Sequence, residues 1–108
     1  MRTLKFVVIG QTIKRDPNCD FEGLTPGSDG YLRAVFAFSP EWTGLTKVAA
    51  FRSGNKDYEP QELKDGFWCD IPAAVLKRPI FNIRVLGKKG ETKLTTNKVF
   101  VHQNGGAT

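Results

Sequence analysis

Cys19, Cys69 and the single histidine, His102, are the side chains of this 108-residue sequence best suited to covalent chemistry. A cysteine or serine nucleophile needs a base within reach, and His102 is the only imidazole. A Cys69–His102–Asp70 triad can be written down. Cys69 lies, however, in the apolar stretch FWCDI, and His102 lies in the alternating run KVFVHQ, where each is a strand position. Glu59 with Glu62, or Asp65 with Asp70, could divide acid and base roles, but they fall in turn-rich segments where carboxylates are ordinarily solvated. GKKG, residues 87–90, lacks the Lys-Ser/Thr that ends a phosphate-binding loop and precedes a strand instead of a helix. Two cysteines and one histidine do not close a zinc site. The sequence therefore predicts no catalytic residue, no metal and no cofactor.

Redox context follows from the first residues. MRTLKFVVIGQT has a short apolar run, but polar Gln11-Thr12 stands where a signal peptide would need small residues for cleavage. This segment is expected to be a first strand and the two thiols to be reduced, Cys69 in the core and Cys19 in a polar loop. No stretch reaches the roughly 18 apolar residues of a membrane helix, so no membrane partner is expected.

Sixteen Lys and Arg against 11 Asp and Glu give a net charge of +5 and a pI near 9.4, which favours acidic partners. The basic residues come as pairs, Lys14-Arg15, Lys77-Arg78 and Lys88-Lys89, not as one run. Phe51, Tyr58, Phe67 and Trp68 alternate with Arg52, Lys56 and Lys64. In a basic groove such aromatics could stack on single-stranded nucleic acid; at strand spacing, aromatics more often build a core.

The elements that must position these groups are strands. Leu4, Phe6 and Val8 share one face of the first, with Val7 and Ile9 on the other, which predicts burial on both sides. A turn-rich loop follows, and residues 14–30 are too long and polar to be core. In YLRAVFAFSPEWTGLTKVAAFR, the residues Leu32, Ala34, Phe36 and Phe38 form a strand face, and Ser39-Pro40 ends the ladder because proline has no N–H to donate. The chain re-enters a strand at Thr46, after Gly44 permits a turn. Trp42, in the corner, is expected to fold back as a lid over the end of the core. DYEPQEL is expected to hold an edge strand, since Pro60 bars a central one. DIPAAVLKRP forms a single helical turn with Asp70 as cap and Pro72 at the first helical position. IFNIRVLG, ETKLTT and KVFVHQ are the last strands, with Gly87-Lys88-Lys89-Gly90 as a hairpin loop that puts both lysines at its tip.

About seven short strands and one helical turn, with turn signals between them, predict an all-β, two-sheet antiparallel sandwich of immunoglobulin-like or related topology over residues 1–103. An oligonucleotide-binding barrel is the competing closure. The expected core is Phe6, Phe36, Phe38, Val48, Ala50, Cys69, Ile83, Val85, Val99 and Val101. NGGAT, residues 104–108, is expected to be a flexible tail.

The order of landmarks resembles a small immunoglobulin-like β-sandwich domain of tailed phages and prophages of Gram-positive bacteria. That domain often opens virion-associated proteins such as baseplate or head-fibre components. The residues that carry the resemblance are Phe38, Trp42, Gly44, Lys47, Ala49 and Phe51 in the corner, Cys69, Ile71, Pro72 and Leu76 before the helical turn, and Gly87, Thr95, Thr96 and Asn97 near the end. It covers roughly residues 3 to 103. The resemblance implies a non-enzymatic attachment, adaptor or decoration module on capsid or tail proteins, present in many copies in the virion, made in the host cytoplasm and capable of self-association. Longer members continue into coiled-coil or receptor-binding sequence, so a chain stopping at Thr108 suggests a stand-alone protein. Lys14, Arg15, Lys88 and Lys89 are the expected partner contacts; Trp42, Pro40, Gly44, Phe36 and Phe38 are the expected structural residues. Two other roles fit the same features: an inhibitor of a host defence protein or nuclease, and a basic single-strand-binding domain.

Overall fold

The computed structural model describes residues 1–103, and the tail expected over 104–108 lies outside the described residues. Among the described residues there are ten strand segments: β1 (Arg2–Ile9), β2 (Thr12–Arg15), β3 (Leu32–Phe38), β4 (Thr46–Ser53), β5 (Lys56–Asp57), β6 (Gln61–Glu62), β7 (Trp68–Asp70), β8 (Ile80–Lys89), β9 (Thr92–Thr95) and β10 (Val99–His102). A 3₁₀ turn, Pro40–Trp42, and one short helix, α1 (Ala73–Leu76), join them. The chain is an all-β sandwich of two sheets, not a closed barrel. The first sheet has the order β2-β1-β3-β7; in the second, β4 and β8 pair at the centre.

The second sheet explains why ten segments stand where about seven strands were expected. β9 and β10 share one edge of β8, and β5 and β6 share the far edge of β4. Each of these rows is one strand interrupted. Pro60 lies in the break between β5 and β6, where a missing N–H ends the ladder. In the break between β9 and β10, Thr96 donates its N–H to the Val85 carbonyl (3.1 Å) and accepts the Val85 N–H on Oγ1 (3.0 Å), so a side chain stands in for a backbone partner.

One pairing departs from the antiparallel expectation: β1 and β3 run parallel, from Arg2↔Leu32 to Val8↔Phe38. The hairpin brings the chain back only as far as Arg15, beside Phe6. Residues 16–31 then cross to the start of β1, where the Arg2 N–H donates to the Tyr31 carbonyl. A connection of that length lets β3 leave in the direction of β1. This loop is not all surface, as its polarity suggested. Leu24 is buried, Phe21 packs edge-on against Phe6 at 5.5 Å, and the Arg2 guanidinium donates to the Asp20 and Glu22 carbonyls.

Three two-residue hairpins, Gly10-Gln11, Gly54-Asn55 and Gly90-Glu91, place glycine first with φ of 57°, 58° and 58°. A II′ hairpin needs positive φ at that position, and its twist matches the flanking strands. The last hairpin corrects the expected 87–90 loop: Gly87, Lys88 and Lys89 belong to β8, and the turn begins at Gly90.

The core follows alternation on β1 (Leu4, Phe6, Val8), β3 (Leu32, Ala34, Phe36), β8 (Phe81, Ile83, Val85) and β10 (Val99, Val101), with Cys69 from β7. Phe38 is only partly buried at the rim, and β1 is buried on one side alone, with Ile9 exposed. On β4 the expected core residues Val48 and Ala50 face outward, while Ala49 and Phe51 face inward. TKVAAFRS is apolar on both faces, so its pattern is ambiguous; burying a phenylalanine removes more surface from water than burying a valine. A one-residue difference in phase exchanges the two faces.

At α1, Pro72 is the N-cap and not the first helical residue, and no side chain caps it. Asp70 instead meets Arg33 across the β3–β7 pair at 3.2 Å. Gln103 closes the other end, donating from Nε2 to the Leu76 and Arg78 carbonyls.

Trp42 is fully buried. Its indole N–H donates to the Gly10 carbonyl (2.8 Å), the Gly10 N–H donates to Ser39 Oγ (2.9 Å), and the Ser39 N–H donates to the Val8 carbonyl (2.9 Å). Pro40 opens the 3₁₀ turn, and Gly44, at φ 82°, lets the chain leave it toward β4. The ring stands beside Phe38, which continues a row of ring contacts through Phe36 to Phe6. Its opposite wall is Gly87: a Cβ there would lie 2.7 Å from Trp42 Cζ3 and 2.9 Å from Cε3. Glycine at 87 thus supplies space for the indole on the central strand of the second sheet.

Candidate functional site: a basic sheet face

The outer face of the second sheet is organised by register. Reading across paired strands, its rows are Thr46–Lys88–Lys93, Glu62–Val48–Leu86–Thr95, Ala50–Arg84, Asp57–Arg52–Asn82–Phe100 and Ile80–His102. Lys98 joins them beside Arg52 and Arg84 around a small polar hollow. Five cationic side chains, Arg52, Arg84, Lys88, Lys93 and Lys98, therefore share this face with two carboxylates, Asp57 and Glu62. Only Arg52 is in an ion pair there among the described residues, at 3.5 Å from Asp57.

Lys88 and Lys93 are direct cross-strand partners, both exposed, with threonine completing their row. Like charges in facing positions destabilise a sheet. Next to them, Thr46, Val48, Leu86 and the lysine stems line an apolar groove of about 300 Å³. The face therefore combines uncompensated positive charge with an apolar recess.

The four expected partner contacts are not brought together. Lys14 and Arg15 lie on β2, the edge strand of the other sheet, where Arg15 stands 5.3 Å from the Phe21 ring. Lys88 and Lys89 point to opposite faces because side chains alternate along β8. Lys88 joins the basic face; Lys89 reaches over the Trp42 corner, with Nζ 3.5 Å from where a Cβ at Gly44 would stand. Arg84, Lys93 and Lys98 were missed. The signal was the period of two in NIRVLGK, which aligns Asn82, Arg84, Leu86 and Lys88 on one side.

Nor do the interleaved aromatics form one surface. Phe51 is core, Tyr58 packs against the core under Lys56, and Phe67 is exposed. Trp68 belongs to the first sheet, with the Arg33 guanidinium 3.9 Å and Lys64 Nζ 4.9 Å from its ring. Cys69 and His102 stand on different sheets, Cys69 inward and His102 outward, and Asp70 is occupied by Arg33. Burial, then the neighbouring Asp70, pushes the Cys69 thiol up to about 12. Both thiols are free. Among the described residues there is no group of three potential metal ligands from His, Cys, Asp and Glu, and no helix long and apolar enough to cross a membrane.

Comparison with protein-family models, curated proteins and solved structures finds no match to this chain.

Proposed function

We propose that this protein is a non-enzymatic attachment module that docks on an acidic surface of a larger protein assembly through the outer face of its second sheet. The observation that carries this reading is the row of Lys88 and Lys93, two lysines in facing positions and in no ion pair among the described residues, beside an apolar groove. An acidic partner relieves their repulsion and covers the recess in one step.

The assembly proposed is a phage capsid or tail, from the sequence landmarks. Those landmarks are scaffold residues: Trp42 lies on Gly87, Thr96 bridges the break between β9 and β10, and the Asn97 side chain accepts the Ile13 N–H at 2.8 Å, tying the edges of the two sheets. They speak to the scaffold, and of them only Thr95 lies on the basic face. On a repeating coat, modest single sites gain strength when many copies are presented together.

Immunoblotting of purified particles from cells producing this chain tests the proposal. The chain is expected in particles at a constant copy number per virion, and Lys88→Glu with Lys93→Glu is expected to deplete it. Absence from particles with recovery in a one-to-one complex with a host protein supports the inhibitor role instead.

A further inference from the structure

We infer that the groove beside Val48 and Leu86 receives one bulky aliphatic side chain of an acidic protein segment, with Lys88 and Lys93 holding the carboxylates on one side of it. This rests on the docking face proposed above and specifies its occupant.

The recess is walled by Val48 and Leu86, direct partners across β4 and β8, and by the stems of Lys88 and Lys93. Lysine lays its methylenes along apolar surface and keeps its ammonium in water. The walls therefore accept hydrocarbon while the rim accepts anions. About 300 Å³ of open recess has room for a leucine-sized group and is too small for a folded domain edge.

Charge selects the occupant further. Among the described residues, Lys88 and Lys93 have no carboxylate within salt-bridge distance, while Glu62 stands at the far end of the Val48 row. A segment carrying carboxylates on the lysine side of its anchor meets complementary charge; a basic segment meets repulsion. Single-stranded nucleic acid is the weaker fit, because among the described residues Phe100 is the one aromatic side chain on this face and it lies two rows from the Val48–Leu86 row, beyond Arg84. Base stacking needs aromatic platforms beside the cations.

Titration of the isotopically labelled full chain with two acidic pentapeptides tests this by amide chemical shifts. One carries leucine at its centre with two carboxylates on each side; the other carries glycine there. The leucine peptide is expected to shift Thr46, Val48, Leu86, Lys88 and Lys93, with at least tenfold higher affinity than the glycine peptide. Lys93→Glu, which reverses one rim charge and keeps Val48 and Leu86 in place, is expected to remove that shift while the protein still melts at or above the wild-type temperature. Equal affinity for both peptides, with shifts spread over Arg52, Arg84 and Lys98, overturns the groove and leaves the docking face standing. No shift with either peptide overturns both. Oligothymidylate shifting the same five amides at lower concentration than the leucine peptide overturns the protein occupant in favour of nucleic acid.

Discussion

Replacing Gly87 by alanine tests the seat of Trp42 with a single methyl group. The added Cβ would stand 2.7 Å from Cζ3, 2.9 Å from Cε3 and 2.9 Å from Leu45 Cδ1, against the 3.5 Å or more of an ordinary carbon contact. Something must move by about an ångström, and neither side is free to do so. Gly87 is held between Lys47 and Leu94 on paired strands, and the indole is tethered to the Gly10 carbonyl. Overpacking of this kind costs about 1–3 kcal/mol, from which alanine recovers some 0.5–1 kcal/mol over glycine in a strand. Trp42→Ala by itself removes a fully buried indole and its hydrogen bond, for about 4–6 kcal/mol.

The decisive measurement is the double-mutant cycle. With the indole gone, its two contacts disappear and Leu45 can relax into the vacated space, so the Gly87→Ala change should stabilise and a coupling of about 1–3 kcal/mol is expected. Urea unfolding followed by circular dichroism and by the remaining tryptophan, Trp68, measures it in all four proteins. Sulfate added equally to each keeps the weakest variant folded at zero urea. A Gly87→Ala effect that is the same in both backgrounds, to within about 0.5 kcal/mol, would refute the interlock.

The Cys69 thiol stands above its ordinary 9.0 because burial, and then Asp70, disfavour the thiolate, so folding opposes its ionisation. Its neutral form contributes fully below pH 9, and stability falls between pH 9 and 12 by up to about 1.4 kcal/mol per unit. Cys69→Ala should flatten that part of the pH profile, and an unchanged alkaline slope would count against it. Lys93→Glu puts an opposite charge across from Lys88 and should stabilise the isolated protein by about 0.2–1 kcal/mol in low salt, less at 1 M; destabilisation in calorimetry would show that the two lysines do not repel.

Alternation made most strands legible. On β8 and β10 the apolar set falls mainly on one face, and a period of two has a single solution when the other face is mainly polar; on β1, Val7 and Ile9 make the second face apolar too, and the structure leaves both outside the core. The Trp42 corner was legible too, since Pro40 must end a ladder and a tryptophan there must find cover. β4 was not, because Val48-Ala49-Ala50-Phe51 is apolar in both phases. Only its register against β8 put Ala49 and Phe51 inside and exposed Val48.

The same limit governs the candidate site. Sequence proximity suggested Lys88 and Lys89 as one patch, yet adjacent strand residues lie on opposite faces, and the hairpin turn starts one residue after them. Lys88 meets Lys93 and Val48 meets Leu86 because strands remote in sequence pair side by side. By itself the sequence determined which residues want cover, where ladders must stop and that the chain is all-β, since these follow from hydrophobic spacing, proline and glycine within a few residues. The parallel β1–β3 pair, the Gly87 seat and the basic face were decided only by tertiary structure, because each depends on which distant strands become neighbours, and local chemistry does not encode that choice.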